Sequence, residues 1–198
     1  MAYVESARAV ADLVRRIPPD AWDGPGLGDW SVRDLVGHTS RSLVTVVEYF
    51  DRPVEHEQLA DAADYYVAAA GLLAVAGDSV TERGREAARA LGDDPAGRFA
   101  ELVDEAEAAV ARTDPDLVVH TICGGMRAAA YLPTRTFELV VHGLDLARAT
   151  GLPLGLPAEA VEQAVTLAAR VAARTGRAPD LLLALTGREP LAAGFSIV

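Results

Sequence analysis

The sequence predicts an all-α protein, an antiparallel bundle of long helices with at most a short β-prone segment near residues 117–123. Three observations lead there. Hydrophobic residues make up 51% of the 198, with Ala, Leu and Val dominant and only 6% aromatic, a composition that favours helices over strands. Apolar residues recur at helical spacing through most of the chain, and short connections join most of the periodic segments. The regularly spaced strands that an α/β fold needs are missing.

The elements follow in order. Residues 2–17 carry Val10, Leu13, Val14 and Ile17 at helical spacing until Pro18-Pro19 stops them. A Gly/Pro/Trp loop, DAWDGPGLGDW, leads to a second helix that starts with an S-x-x-D signal at Ser31 and Asp34, with Trp30 placed to pack back over the first turn. Its apolar arc is Val32, Leu35, Val36, Leu43, Val46, Val47 and Phe50, with His38 at the edge. After the polar loop DRPVEHEQ an Ala-rich helix is expected from about Leu59, weakening at Gly77-Asp78 and continuing through TERGREAARAL to Gly92. Asp94-Pro95, a cap followed by a first-turn proline, opens a helix to about Arg112. DLVVHTICGGMRAAAY reads as a β-prone run followed by a Gly-Gly turn. PTRTFELVVHGLDLARATG, residues 133–151, reads as a helix of about five turns with Pro133 in its first turn and Gly151 at its left-handed end. PAEAVEQAVTLAARVAARTG is one more helix, and PDLLLALTGREPLAAGFSIV a short extension.

Composition also narrows the function. The net charge is −11 and every basic residue is Arg, which disfavours nucleic acid as a partner. No apolar run approaches 18 residues and the first residues are amphipathic, so neither a membrane span nor a signal peptide is expected. The single cysteine, Cys123, excludes an internal disulfide and fits a reducing, cytoplasmic setting. Lys and Asn, both with A-rich codons, are absent, as in a GC-rich bacterial genome.

The 133–151 helix carries the chemistry. At about 100° per residue, Glu138, His142 and Asp145 share one narrow stripe with Arg135 at its edge. Phe137, Val141 and Leu144 flank the stripe on one side, Leu139 and Leu146 on the other. A carboxylate and an imidazole between two apolar strips point inward, where unpaired polar groups cost several kcal/mol. A metal ion is the economical partner, since residues four apart on a helix can share one. With His38 the set is N/O/N, which leaves positions open for water or substrate as in a catalytic zinc site. The bland rival is a hydrogen-bonded core histidine.

The segments GDWSVRDLVGHTSRS and RTFELVVHGLDLARATG resemble the two signature stretches of the DinB-like bundle superfamily. Within it they are most similar to the mycothiol-dependent maleylpyruvate isomerase family and its relatives, with matching patterns at Trp30–His38 and Glu138–Ala149. The resemblance implies an up-and-down four-helix bundle over residues 1–176, with extra C-terminal helices. It implies a divalent metal, usually Zn²⁺, on His38, Glu138 and His142, and mycothiol as a cosubstrate whose sulfur attacks an electrophilic small molecule. The isomerase carries a C-terminal α/β domain, of which residues 177–198 resemble at most the opening, so a related thiol transferase or isomerase-like enzyme is the expectation. A metal-dependent hydrolase with the same triad, and a non-catalytic bundle that binds a ligand or forms a homodimer through an apolar helix face, stay open as alternatives.

Other residues carry weaker signals. Asp145 is read either as orienting a ligand or as pairing with Arg148. Arg135 is read either as a bidentate clamp for a substrate carboxylate or as a solvated side chain. His120 and Cys123 lack the second pair that a separate metal site needs. His56 is expected to be exposed, and Tyr65-Tyr66 either line a pocket or pack in the core.

Overall fold

The computed structural model describes residues 1–76 and 79–198, with side chains outside 73–80. Its first element, α1 (Ala2–Val14), ends three residues before the expected stop. There follow α2 (Val32–Phe50), α3 (Ala62–Ala76), α4 (Ser79–Ala90) and α5 (Pro95–Arg112). A hairpin of β1 (Val118–Thr121) and β2 (Gly124–Arg127) then leads into α6 (Ala128–Thr150), α7 (Ala158–Arg174) and α8 (Ala178–Leu185). The break expected at Gly77-Asp78 lies outside the described residues. Four helices close a ring in which α1 touches α5, α5 touches α2, α2 touches α6 and α6 touches α1. This is the four-helix bundle. Its core includes Leu13, Leu35, Leu43, Phe99, Tyr131, Leu139 and Leu146, all sealed from solvent. Around the ring, α4 lies on α2, α3 on α6 and α7, and α8 on α7. No described helix is long and apolar enough to cross a membrane.

Local chemistry sets the helix ends. The Ser31 side chain accepts from the Asp34 amide while the Asp34 carboxylate accepts from the Ser31 amide, so the two satisfy each other's free donors. Asp94 accepts from the Gly97 amide ahead of α5, with Pro95 in the first turn. Gly151 closes α6 at φ 69°, a left-handed conformation that glycine adopts without steric cost.

Two local expectations need correcting. Residues 128–132 extend α6 toward its N-terminus, so Pro133 lies inside the helix. Alanines make that extra turn favourable, and Ala129, whose carbonyl loses its donor to the proline, is an exposed residue. The Gly-Gly pair, in turn, does not form the turn of the hairpin. Gly124 and Gly125 pair with Thr121 and His120 as strand residues, and Ile122-Cys123 make the turn. Gly125 is required for a different reason, because a Cβ there would run into the His56 carbonyl of the loop laid along β2.

A glycine also decides where α2 sits. A Cβ on Gly37 would fall within the backbone of Ala88, so α2 and α4 meet there main chain to main chain. Gly37→Ala is expected to destabilise the protein by about 1–3 kcal/mol despite alanine's better helix propensity, because overpacking outweighs propensity. Denaturant unfolding measures it.

Asp61 starts α3 and ties it to α7. Its carboxylate accepts from the Ala63 and Asp64 amides and pairs with Arg170 and Arg174 at 2.7 Å each. The Arg174 hydrogen bond, together with the Asp64 amide and the two guanidinium charges, lowers its pKa from 3.8 to about 2 against the opposing effect of burial. A depressed carboxylate contributes stability above its unfolded pKa, and that contribution is lost as pH falls from about 4 through about 2. Asp61→Asn should therefore cost about 1 kcal/mol at pH 7 and almost nothing near pH 2, in urea titrations at the two pH values.

Candidate metal centre

His38 stands on the second turn of α2, directly after the glycine that lets α4 approach. Trp30 fixes its ring. The expectation that Trp30 folds over the first turn of α2 is only part of the picture. Its indole reaches the space above Gly84 of α4, donates to the Thr81 carbonyl at 3.3 Å, and places its ring 4.6 Å from that of His38. The His38 Nδ1 is enclosed and without a hydrogen-bond partner among the described residues.

Across the α2–α6 interface, α6 supplies the other two groups. His142 Nε2 lies 3.1 Å from Glu138 Oε2, and the His38 and His142 rings meet edge-on with centroids 4.7 Å apart. One donor atom each from His38, Glu138 and His142 falls within 4.8 Å of the others. Among the described residues no other group of three or more His, Cys, Asp or Glu is so placed.

The surroundings hold these groups in position. Tyr66 of α3 donates its hydroxyl proton to Glu138 Oε1 at 2.6 Å. Asp145 Oδ2 lies 3.3 Å from His142 Nδ1, so Asp145 turns to the imidazole and not to Arg148. Arg148 is exposed and makes no ion pair among the described residues. The first apolar strip is also less buried than its pattern suggests, since Leu144 is 48% exposed, whereas Leu139 and Leu146 of the other strip are sealed. The stripe thus sits at the rim of the core, and the side chains of Glu138 and Asp145 keep 22% and 23% of their surface.

Electrostatics follow from this geometry. Burial, reinforced by the charge of His142, pushes His38 down to about 4 and keeps it neutral. Burial also works against charge on Glu138, but hydrogen bonding from His142, the nearby Arg135 and Tyr66 hold it at about 2. For His142, burial is overcome by hydrogen bonds to Asp145 and Glu138, which raise it to about 9. Without an ion the centre is a neutral imidazole beside an imidazolium–carboxylate pair.

The residues fit a divalent ion. An enclosed imidazole nitrogen without a partner is costly, and this one belongs to a neutral ring beside an ionised carboxylate, both in the state a metal requires. Asp145 on the far nitrogen of His142 is the usual arrangement behind a ligating histidine.

Other candidates lie elsewhere. His56 and His120 are exposed, and Cys123 is half-buried at the hairpin turn, its thiol pKa raised by burial. Arg135 is buried, not solvated. Tyr66 was the residue hardest to place from sequence; the tyrosine pair in an Ala-rich helix was the available signal, but nothing local tied it to Glu138, 72 residues on.

No curated protein and no solved structure matches the chain. Its sequence does match the family described as the mycothiol maleylpyruvate isomerase N-terminal domain over residues 3–147, a span that contains His38, Glu138 and His142 together with α1, α2 and α5 and most of α6. A match over so much of the 198 residues, with nearly all of the four-helix ring inside it, means that the chain belongs to the mycothiol maleylpyruvate isomerase N-terminal domain family.

Proposed function

We propose that the protein is a metal-dependent enzyme of the transferase or isomerase class, which joins a low-molecular-weight thiol, mycothiol, to an electrophilic small molecule. His38, Glu138 and His142 would hold the ion, and zinc suits their N/O/N set. The observation that carries this reading is the convergence of one donor atom from each of the three within 4.8 Å. Family membership supports the thiol.

When bound, such an ion supplies a Lewis acid that lowers the pKa of a thiol at an open coordination position. The chain's own residues do the rest. Tyr66 takes Glu138 Oε1, which leaves Oε2 facing His142 and the shared position. Asp145 accepts from His142 Nδ1–H and so presents Nε2 as the free donor once its proton is lost. Trp30 packs against His38 and excludes water from the α4 side. The partly exposed Glu138 and Asp145 leave the opposite side open to a small molecule.

Elemental analysis of purified protein should find about one equivalent of zinc or a first-row neighbour, and His142→Ala should lose it. A wild type without stoichiometric metal, or an equal content in the variant, ends the proposal. With metal bound, turnover of an electrophile should require added mycothiol; hydrolysis without thiol would assign the open position to water instead. Tyr66→Phe should keep the fold and weaken metal binding about tenfold, because the carboxylate loses the donor that orients it. Competition with a chelating dye reads the change.

A further inference from the structure

Two cavities flank Gln163 of α7. The first, about 370 Å³, opens where α1, α6 and α7 begin and α2 and α5 end. The second, about 420 Å³, lies between α7 and the starts of α3 and α6. Pro133, Glu159 and Gln163 line both, so they form the wall that the two share. To the first, α6 contributes Ala129, Leu132, Pro133 and Thr136. At about 100° per residue these four lie nearly opposite Glu138 and His142 on the helix, so the cavity backs onto α6 from the side away from the metal centre. Its size is that of a small-ligand site, for which roughly 300–1,000 Å³ is usual.

The polar part of this lining is short of protons. Gln163 Oε1 is enclosed and accepts from no donor among the described residues. Pro133 has no N–H to give the Ala129 carbonyl one turn before it. Thr113 and Thr136 donate their hydroxyl protons to the Ala109 and Leu132 carbonyls at 2.7 and 3.1 Å, so toward an occupant they can only accept. Glu159 makes no ion pair among the described residues, nor does Glu162 in the second cavity. The cations nearby are already matched, the Met1 ammonium by Glu5 at 3.0 Å and Arg170 by Asp61 at 2.7 Å. Much of the rest of the first wall is carbon, from Ala2, Phe50, Val110, Pro115 and Leu132.

An enclosed acceptor without a donor is costly, and bulk water does not reach this one. A turn of the Gln163 amide about its last side-chain bond, where the torsion is soft, brings Oε1 to face an occupant of either cavity. The complementary occupant carries N–H donors, a positive charge and an apolar body. A protonated primary amine has three donors and no acceptor, which suits a lining of lone pairs beside an unpaired carboxylate.

We infer that the first cavity is a second ligand site, on the back of α6, for a small primary ammonium with an aromatic or branched alkyl body, its nitrogen held by Gln163 Oε1 and Glu159 where the two cavities meet. The site needs neither the metal nor the thiol.

Full-length protein is titrated calorimetrically in phosphate buffer with phenethylamine and three analogues of similar shape: phenethyl alcohol, hydrocinnamate and N-trimethylated phenethylamine. Saturable binding of phenethylamine is expected. The alcohol, which lacks the charge, and the trimethylated cation, which lacks N–H donors, should each bind about tenfold more weakly or worse, and hydrocinnamate should not bind. Gln163→Leu should weaken the amine about tenfold while resisting denaturant at least as well as the wild type, because it removes an unpaired acceptor. Ala129→Phe, at an exposed helical position, fills the cavity and should abolish binding. His142→Ala should bind the amine like the wild type. The inference is overturned by non-saturable amine binding, by the alcohol or the trimethylated cation binding as tightly as the amine, or by unchanged affinity in Gln163→Leu and Ala129→Phe. Loss of amine binding in His142→Ala would move the amine to the metal centre and overturn it equally.

Discussion

The α2–α6 interface depends on how three polar side chains are satisfied at the edge of an apolar core. His38 comes from one helix and Glu138 and His142 from the other, and none of the three can reach bulk water freely. Within α6 the carboxylate and imidazole stabilise each other, and Tyr66 and Asp145 take up the remaining atoms. His38 has no such recourse. Hydrophobic burial alone would favour an apolar residue at that position, so the polar set is kept at a cost in stability.

Much of this was legible from periodicity and punctuation. Ser31 with Asp34, Asp94 with Pro95, and Gly151 announce helix ends through local hydrogen bonding or a backbone angle, which depend on residues close in sequence. The stripe from Arg135 to Asp145 is likewise a property of one helix. The misreadings arose where a strong local signal met a stronger influence from a neighbour, adjacent in sequence in one case and in space in the other. Pro133 and the Gly-Gly pair are strong local signals that neighbouring segments overrode, the first through an alanine-rich preceding turn and the second through the loop at His56.

The centre divides in the same way. Glu138, His142 and Asp145 follow from helical geometry, whereas the approach of His38 requires α2 and α6 to be neighbours in the ring, which periodicity cannot specify. Family resemblance bridged that gap for His38. It offered nothing on Tyr66, which works through its hydroxyl from a helix whose alanine-rich sequence has little amphipathic character. It was equally silent on the burial of Arg135, which depends on Tyr65 and Tyr131 from two different helices.

The main-chain contact at Gly37 has a consequence for ion choice. A helix seated against backbone and a single Ala88 methyl has little at the contact to compress or rearrange, and the indole of Trp30 packs against the imidazole. His38 therefore cannot retreat to lengthen a bond. For the ion proposed above, a cradle so braced would select by radius, favouring ions that bind nitrogen near 2 Å over larger, oxygen-seeking calcium, which needs six to eight ligands at roughly 2.3–2.6 Å.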